Sequence, residues 1–161
     1  MAKGPHAGEK FGEIVFALHQ SGVEVVVGGH WSIAAFDAEH PLLETQTWLK
    51  ENPPVGFLDI ACPEQHRAAA ESVLMMLGFR LQEKSPEEMH FEDSTEHAVR
   101  VSLFRPARDG GRIYPQGGPD GEDWYFRPEC VTSGRLGSVP VRTEGPEGLE
   151  KARAALSSDE T

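Results

Sequence analysis

The chain predicts an α+β fold in which helices flank a mixed α/β sheet. Three observations carry that expectation. A β-branched run, Val23 to Val27, lies between two segments whose apolar residues recur at helical spacing. A second apolar run, Val55 to Ala61, is followed by the long helical stretch "PEQHRAAAESVLMMLGF". After Pro106 that spacing stops, and glycine, proline and aromatic residues alternate with short β-prone runs.

Taken in order, Glu9 to Gln20 predicts an amphipathic helix with Phe11, Ile14, Val15 and Leu18 on one face. Gly22 suits the left-handed position that ends it. Val23 to Val27 fits a buried strand. Gly28 and Gly29 follow, and His30 to Phe36 predicts a short buried helix carrying Trp31, Ile33, Ala34 and Ala35. Pro41 to Glu51 predicts another helix, since proline fits a first turn and Asn52-Pro53-Pro54 stops it. Val55 to Ala61, "VGFLDIA", is the second strand. Pro63 opens the long helix, with Ala69, Val73, Met76 and Leu77 expected inward and Gly78 at its end. Phe79 to Gln82 and Glu88 to Glu92 predict a strand pair, and Val99 to Phe104 a further strand.

Between Arg108 and Glu129 the chain is dense in Gly, Pro and Asp, yet Ile113, Tyr114, Trp124, Tyr125 and Phe126 are too many large apolar groups for a disordered linker. Turns and short strands against the core are expected there. "SGRLGSVPVRT" predicts a hairpin, and Pro146 to Leu156 a final helix before a frayed tail. A chain of 161 residues suffices for one domain with its own core, here about residues 9–156, with an arm and hairpin at 107–143.

The formal net charge is −11, from 15 basic and 26 acidic residues. That balance opposes nucleic-acid binding, which needs clustered Lys and Arg. It leaves room for a small nucleotide in a locally basic pocket, for which Arg127, Arg135 and Arg142 are available. No apolar run reaches the roughly 18 residues of a membrane span. "MAKGPHAGEKFGEI" has no hydrophobic signal region, and two cysteines, Cys62 and Cys130, make no disulfide framework or paired metal spacing. A reduced, cytoplasmic setting and a monomer or homodimer are the expectation.

Gly28-Gly29 after a strand and before a helix is the arrangement of several phosphate-holding loops, but neither G-x-G-x-x-G nor a Gly-Lys-Ser/Thr loop is present. The motif gains meaning from its neighbours. A strand, "GG", an aromatic and a short helix precede a strand with "FLDIA" and a helix ending "LGF". "VRVSLFRP", "DGGRIYP", "WYFRPE" and "GRLGSVPVRTEGPEGLEKA" then follow in that order. This succession, from about Glu9 to Leu156, resembles the small antibiotic nucleotidyltransferases that adenylylate lincosamides and aminoglycosides. The resemblance implies a nucleotidyltransferase-like fold, with Gly28 and Gly29 beneath a nucleotide triphosphate. It also implies Mg2+ held by an Asp-x-Asp on the next strand and a further Asp on a later one, since phosphoryl transfer needs hard cations on carboxylate oxygens. Asp59 matches the second of these acids. The first falls on Phe57 and the third on Ser102, so two of three metal carboxylates are missing. Glu44, in the inserted "HPLLETQTWLKENPP" region, and Glu39, just before it, are candidate substitutes.

The resemblance and the departure together imply a nucleotidyltransferase-fold protein without standard metal-dependent transfer. Such a protein would bind or transform a small antibiotic-like molecule or metabolite, with no cofactor and no metal, or Asp59 alone if a metal is bound. ATP and Mg2+ belong to the alternative, an active transferase modifying an antibiotic. A third reading is a pseudoenzyme acting through protein contacts. The candidate catalytic pair is His30 with Asp59 as orienting carboxylate, because histidine serves as acid or base near neutral pH. Gly28, Gly29, Trp31, Glu44, His90, Tyr114, Trp124 and Arg127 are the candidate substrate-binding residues. The aromatics supply apolar area with a polar handle, and Arg127 a charge for an anionic group. Glu88, His90 and Glu92 alternate along a strand and share one face, either the cleft or water. Cys62 reads as a buried structural thiol one turn past its strand, and Trp31 serves either the core or a stacking surface.

Overall fold

The β-branched run at Val23 yields only a three-residue strand, because the chain reaches its partner strands late and leaves them at a glycine. A computed structural model of the chain describes residues 5–53, 56–94, 96–118 and 120–148. Helix α1 spans Pro5–Gln20, strand β1 Val26–Gly28, helix α2 Gly29–Glu39 and helix α3 Leu43–Glu51. Strand β2, Phe57–Pro63, passes through a 3-10 turn, Glu64–His66, into helix α4, Arg67–Met76. Strands β3, Arg80–Lys84, β4, Glu88–Glu92, and β5, Ala98–Pro106, follow, then β6, Arg112–Tyr114, and β7, Trp124–Phe126. After a second 3-10 turn, strands β8, Val131–Leu136, and β9, Val139–Glu144, form the expected hairpin. Residues 146–148 are helical. The rest of the expected final helix lies outside the described residues.

The main path of the sheet runs β3-β4-β5-β2-β1-β9-β8, with β6 and β7 attached beside β5. Strands β2 and β5 pair in parallel, as do β1 and β9, and the remaining pairs are antiparallel. The mixed α/β sheet is therefore as expected. Phe11, Ile14, Val15 and Leu18 of α1 are all buried, in one cluster with Leu58, Ile60 and Cys62 of β2 and Val99, Val101 and Leu103 of β5. Strand residues alternate between faces. With those residues in the core, Asp59, Ala61, Arg100 and Ser102 take the opposite face of the sheet.

The expected face of α4 is corrected. Ala70 and Leu74, one helical turn apart, are buried against the sheet, whereas Ala69 is exposed, Val73 is half-buried and Met76 is 84 % exposed. The run "AAAESVLMM" offers two neighbouring apolar stripes, Ala69–Val73–Met76 and Ala70–Leu74, and packing on the sheet buries the second. Cys62 is corrected too: it lies within β2 rather than beyond it, and burial pushes its thiol up to about 12. A thiol held there stays protonated and inert near neutral pH.

Candidate functional site

The face opposite the α1 side carries two polar rows, each set by strand register. Gly28, Asp59, Arg100 and His90 are successive partners across β1, β2, β5 and β4. Val26, Ala61, Ser102 and Glu88 form the next row. Over these rows lies a cavity of about 330 Å³, within the range of roughly 300–1,000 Å³ that small-molecule sites occupy. Gly28, Gly29, Asp59, Glu88, Arg100 and Ser102 line its sheet side. Tyr114, Trp124 and Phe126 of the β6–β7 hairpin, with Glu144 at the end of β9, line the other.

At the floor, Gly29 opens α2 with φ of +61°. A side chain there would place its Cβ 2.6 Å from Asp59 Oδ2, so the glycine is required by backbone and space together. Asp59 itself is engaged. Arg100 Nε donates to Oδ1 at 2.5 Å and Nη2 to Oδ2 at 3.0 Å, a two-pronged charge-assisted pair. The same guanidinium lies 5.6 Å from the Phe57 ring centroid. Phe57, standing where a carboxylate is expected, thus holds an arginine by its ring face. Ser102 lines the cavity as a neutral hydroxyl.

These residues do not fit the Mg2+ ions that the resemblance implies. Both oxygens of the single matching carboxylate accept from the Arg100 guanidinium, so a cation already engages the group that would hold a metal. Among the described residues no three His, Cys, Asp or Glu side chains are grouped to hold a metal ion. Glu39 is taken by Arg135 at 3.5 Å, and Glu44 is exposed near the start of α3, away from the cavity lining.

The expected His30–Asp59 pair is not formed: no hydrogen bond or ion pair joins the two, and Arg100 holds the carboxylate. His30 instead lies against Trp48 of α3, ring centroids 4.9 Å apart. Burial lowers the pKa of His30, and the nearby Asp59 charge offsets only part of that. A lowered folded-state pKa means the unfolded chain binds the proton more readily. The stability held by neutral His30 is therefore present above the ordinary value near 6.5 and lost as pH falls through that value toward the folded one. Replacing His30→Gln is expected to shrink the loss of urea midpoint between pH 7.5 and about 5.5. Equal losses in both proteins would remove His30 as a contributor.

Of the other sequence candidates, Gly28, Gly29, Tyr114 and Trp124 meet in the cavity wall. Trp31 does not; it is buried in the core, edge-on to Phe11 with centroids 5.4 Å apart. His90 shares the cavity face and places Nε2 3.1 Å from Glu88 Oε1, but Glu88 rather than His90 reaches the lining. Arg127 is exposed and paired with Glu147 and Glu129, away from the cavity lining. Sequence reading missed Arg100, Arg112 and Glu144. The available signal was a charged residue alternating inside apolar strands, as in "VRVSLF" and "GRIYP".

Arg112 and Glu144 form a buried ion pair at the site. They are 4 % and 6 % exposed, with Nη1 donating to Oε1 at 2.6 Å and Nη2 to Oε2 at 2.9 Å. The guanidinium also stands 4.9 Å from the Phe126 ring centroid. This pair ties the β6–β7 hairpin to the end of β9 and so fixes the aromatic wall over the sheet.

No protein-family model matches the chain, and no curated protein matches it in sequence. Solved structures do match in fold. The lincosamide antibiotic adenylyltransferase LnuA, lincomycin-bound, superposes with a TM-score of 0.67 at 12 % identity, over 95 % of this chain and 96 % of that one. ANT(2'')-Ia in complex with adenylyl-2''-tobramycin gives 0.63 at 16 %, over 96 % and 77 %. The solution structure of the antibiotic-resistance factor ANT(2'')-Ia gives 0.55 at 15 %, over 93 % and 84 %. The chain therefore has the fold of the lincosamide and aminoglycoside nucleotidyltransferases, with an arginine–aspartate pair on the floor of its cleft.

Proposed function

We propose that this chain is a single-domain, small-molecule-binding protein on a nucleotidyltransferase fold, working without metal-dependent nucleotidyl transfer. The observation that carries the reading is the two-pronged engagement of Asp59 by Arg100. Asp59, Glu88 and Glu144 line the cavity, and Arg100 is the basic residue among the described lining. Asp59 and Glu144 already hold the guanidinium groups of Arg100 and Arg112 and Glu88 adds a negative charge, so among the described residues the wall has no free cation for a triphosphate and accepts neutral or cationic molecules. The aromatic set supplies the apolar contact that an antibiotic-like molecule or metabolite needs. Gly28, Gly29, Tyr114 and Trp124 are the proposed binding residues, and no cofactor is proposed. The proposed setting is the cytoplasm, as a monomer or homodimer; no helix of the described residues is long and apolar enough to cross a membrane.

A second reading, an active Mg2+-dependent transferase that modifies an antibiotic with ATP, is favoured by the adenylyltransferase among the structures of like fold. Calorimetry separates the two. ATP with Mg2+ is expected to give no metal-dependent heat, whereas lincomycin or tobramycin is expected to bind. Trp124→Ala is expected to weaken that binding about tenfold, the loss of one large aromatic contact. Metal-dependent ATP binding with an adenylylated product would replace the first reading with the second.

A further inference from the structure

Tyr114 stands where the Arg112–Glu144 pair meets the aromatic wall. It ends β6 opposite Trp124 of β7, and its ring lies edge-on to Phe126 with centroids 5.3 Å apart. Its hydroxyl oxygen accepts from Arg112 Nη1 at 2.8 Å. Arg112 is itself immobilised by both oxygens of buried Glu144, so the phenol oxygen has a fixed position. A phenol has one O–H to donate. Among the described residues that O–H has no acceptor, although Tyr114 lines the cavity. Tyr114 is half-buried, and with its oxygen already accepting from the protein its one O–H is left to donate to whatever the cavity receives. Burial raises the phenol pKa far above neutrality, outweighing the opposing pull of Arg112, so the group remains a donor at physiological pH.

We infer that Tyr114 is a specificity-determining hydrogen-bond donor of the cleft, aimed at a neutral acceptor oxygen of a ring-bearing ligand. This rests on the proposed reading of the cavity as a small-molecule site. The acceptor is a carbonyl, ether or hydroxyl oxygen rather than a carboxylate or phosphate, because the guanidinium groups of Arg100 and Arg112 are already held by Asp59 and Glu144, and Glu88 adds a negative charge to the same space. Donation from a guanidinium to the phenol oxygen polarises the O–H and strengthens the bond it makes. The ring of the ligand lies against Trp124 and Phe126.

The test uses acetophenone and its hydrocarbon isostere α-methylstyrene as probes, with affinities read from NMR shifts of the full chain. Tyr114→Phe keeps the ring and removes only the hydroxyl. The ratio of acetophenone to α-methylstyrene affinity is expected to fall about fivefold in this variant, the worth of one neutral hydrogen bond. Tyr125→Phe removes the other tyrosine hydroxyl, which bonds Asp109 at the surface, and is expected to leave the ratio unchanged. An unchanged ratio in Tyr114→Phe overturns the inference, and so does failure of both probes to shift cleft resonances in the parent chain. If the ratio falls while lincomycin and tobramycin do not bind, the donor role stands and the antibiotic-like reading fails.

Discussion

Glu144→Ala is expected to destabilise the chain by roughly 3–5 kcal/mol, because it leaves the buried Arg112 guanidinium without its partner. For a domain of this length that lowers the melting temperature by about 10 °C. The loss is dominated by the stranded charge rather than by the worth of the pair. The double variant Arg112→Met with Glu144→Met is therefore expected to recover most of it, since replacing both members of a buried pair with apolar groups is often near neutral. Thermal melts of Arg112→Met, Glu144→Met and the double variant close the cycle. A single-variant loss below about 1 kcal/mol would show that water reaches the pair and weakens it, as at an exposed site. The double variant also releases Tyr114 from its fixed position, so restored stability without restored probe selectivity is the expected combination.

Gly29→Val carries the second large effect. The residue has φ of +61°, where a β-branched side chain is strongly disfavoured. Its Cβ would press on the Asp59 carboxylate, 2.6 Å from Oδ2 and 3.0 Å from Cβ. Backbone strain of about 1–2 kcal/mol and a similar steric cost together predict a loss near 3 kcal/mol. The clash acts on the carboxylate that Arg100 holds, so the variant is also expected to loosen the floor of the cleft. Gly28→Ala is the contrast. Its backbone is extended, and an added methyl group would meet no foreign atom closer than 4.0 Å, so it is expected to lose under about 1 kcal/mol. Chemical denaturation of both variants checks the pair, and equal losses would remove the left-handed backbone as the reason for the second glycine.

The two glycines are therefore unlike in kind. In sequence they form one motif after a strand; in the structure Gly28 is a strand end paired with Asp59, and Gly29 is a close contact over its carboxylate. The same division runs through the fold. The apolar spacing of α1 identifies its buried face directly, because Phe11, Ile14, Val15 and Leu18 obey one helical period without interruption. The spacing of α4 does not, because it carries two neighbouring apolar stripes and only packing on the sheet selects between them. Trp31 reads in sequence as core before platform, and the structure makes it core, with Phe11 of α1 edge-on against it.

The sequence alone determined the order of the elements, the mixed α+β character, the Gly pair between strand and helix, and the aromatic cluster of the Gly- and Pro-rich arm. Each is a local pattern of period, propensity or turn chemistry, legible within a window of a few residues. The resemblance read from it also puts Phe57 and Ser102 where acids are expected. Only the tertiary structure decided what stands in their place. Asp59 and Arg100 are 41 residues apart and meet because β2 and β5 pair in one parallel register. Arg112 and Glu144 are 32 apart and meet because the β6–β7 hairpin folds back over the end of β9. Local periodicity states which face a residue takes within its own element. Which charge it finds there depends on register and on the return of distant segments, and those follow from burial of the whole core.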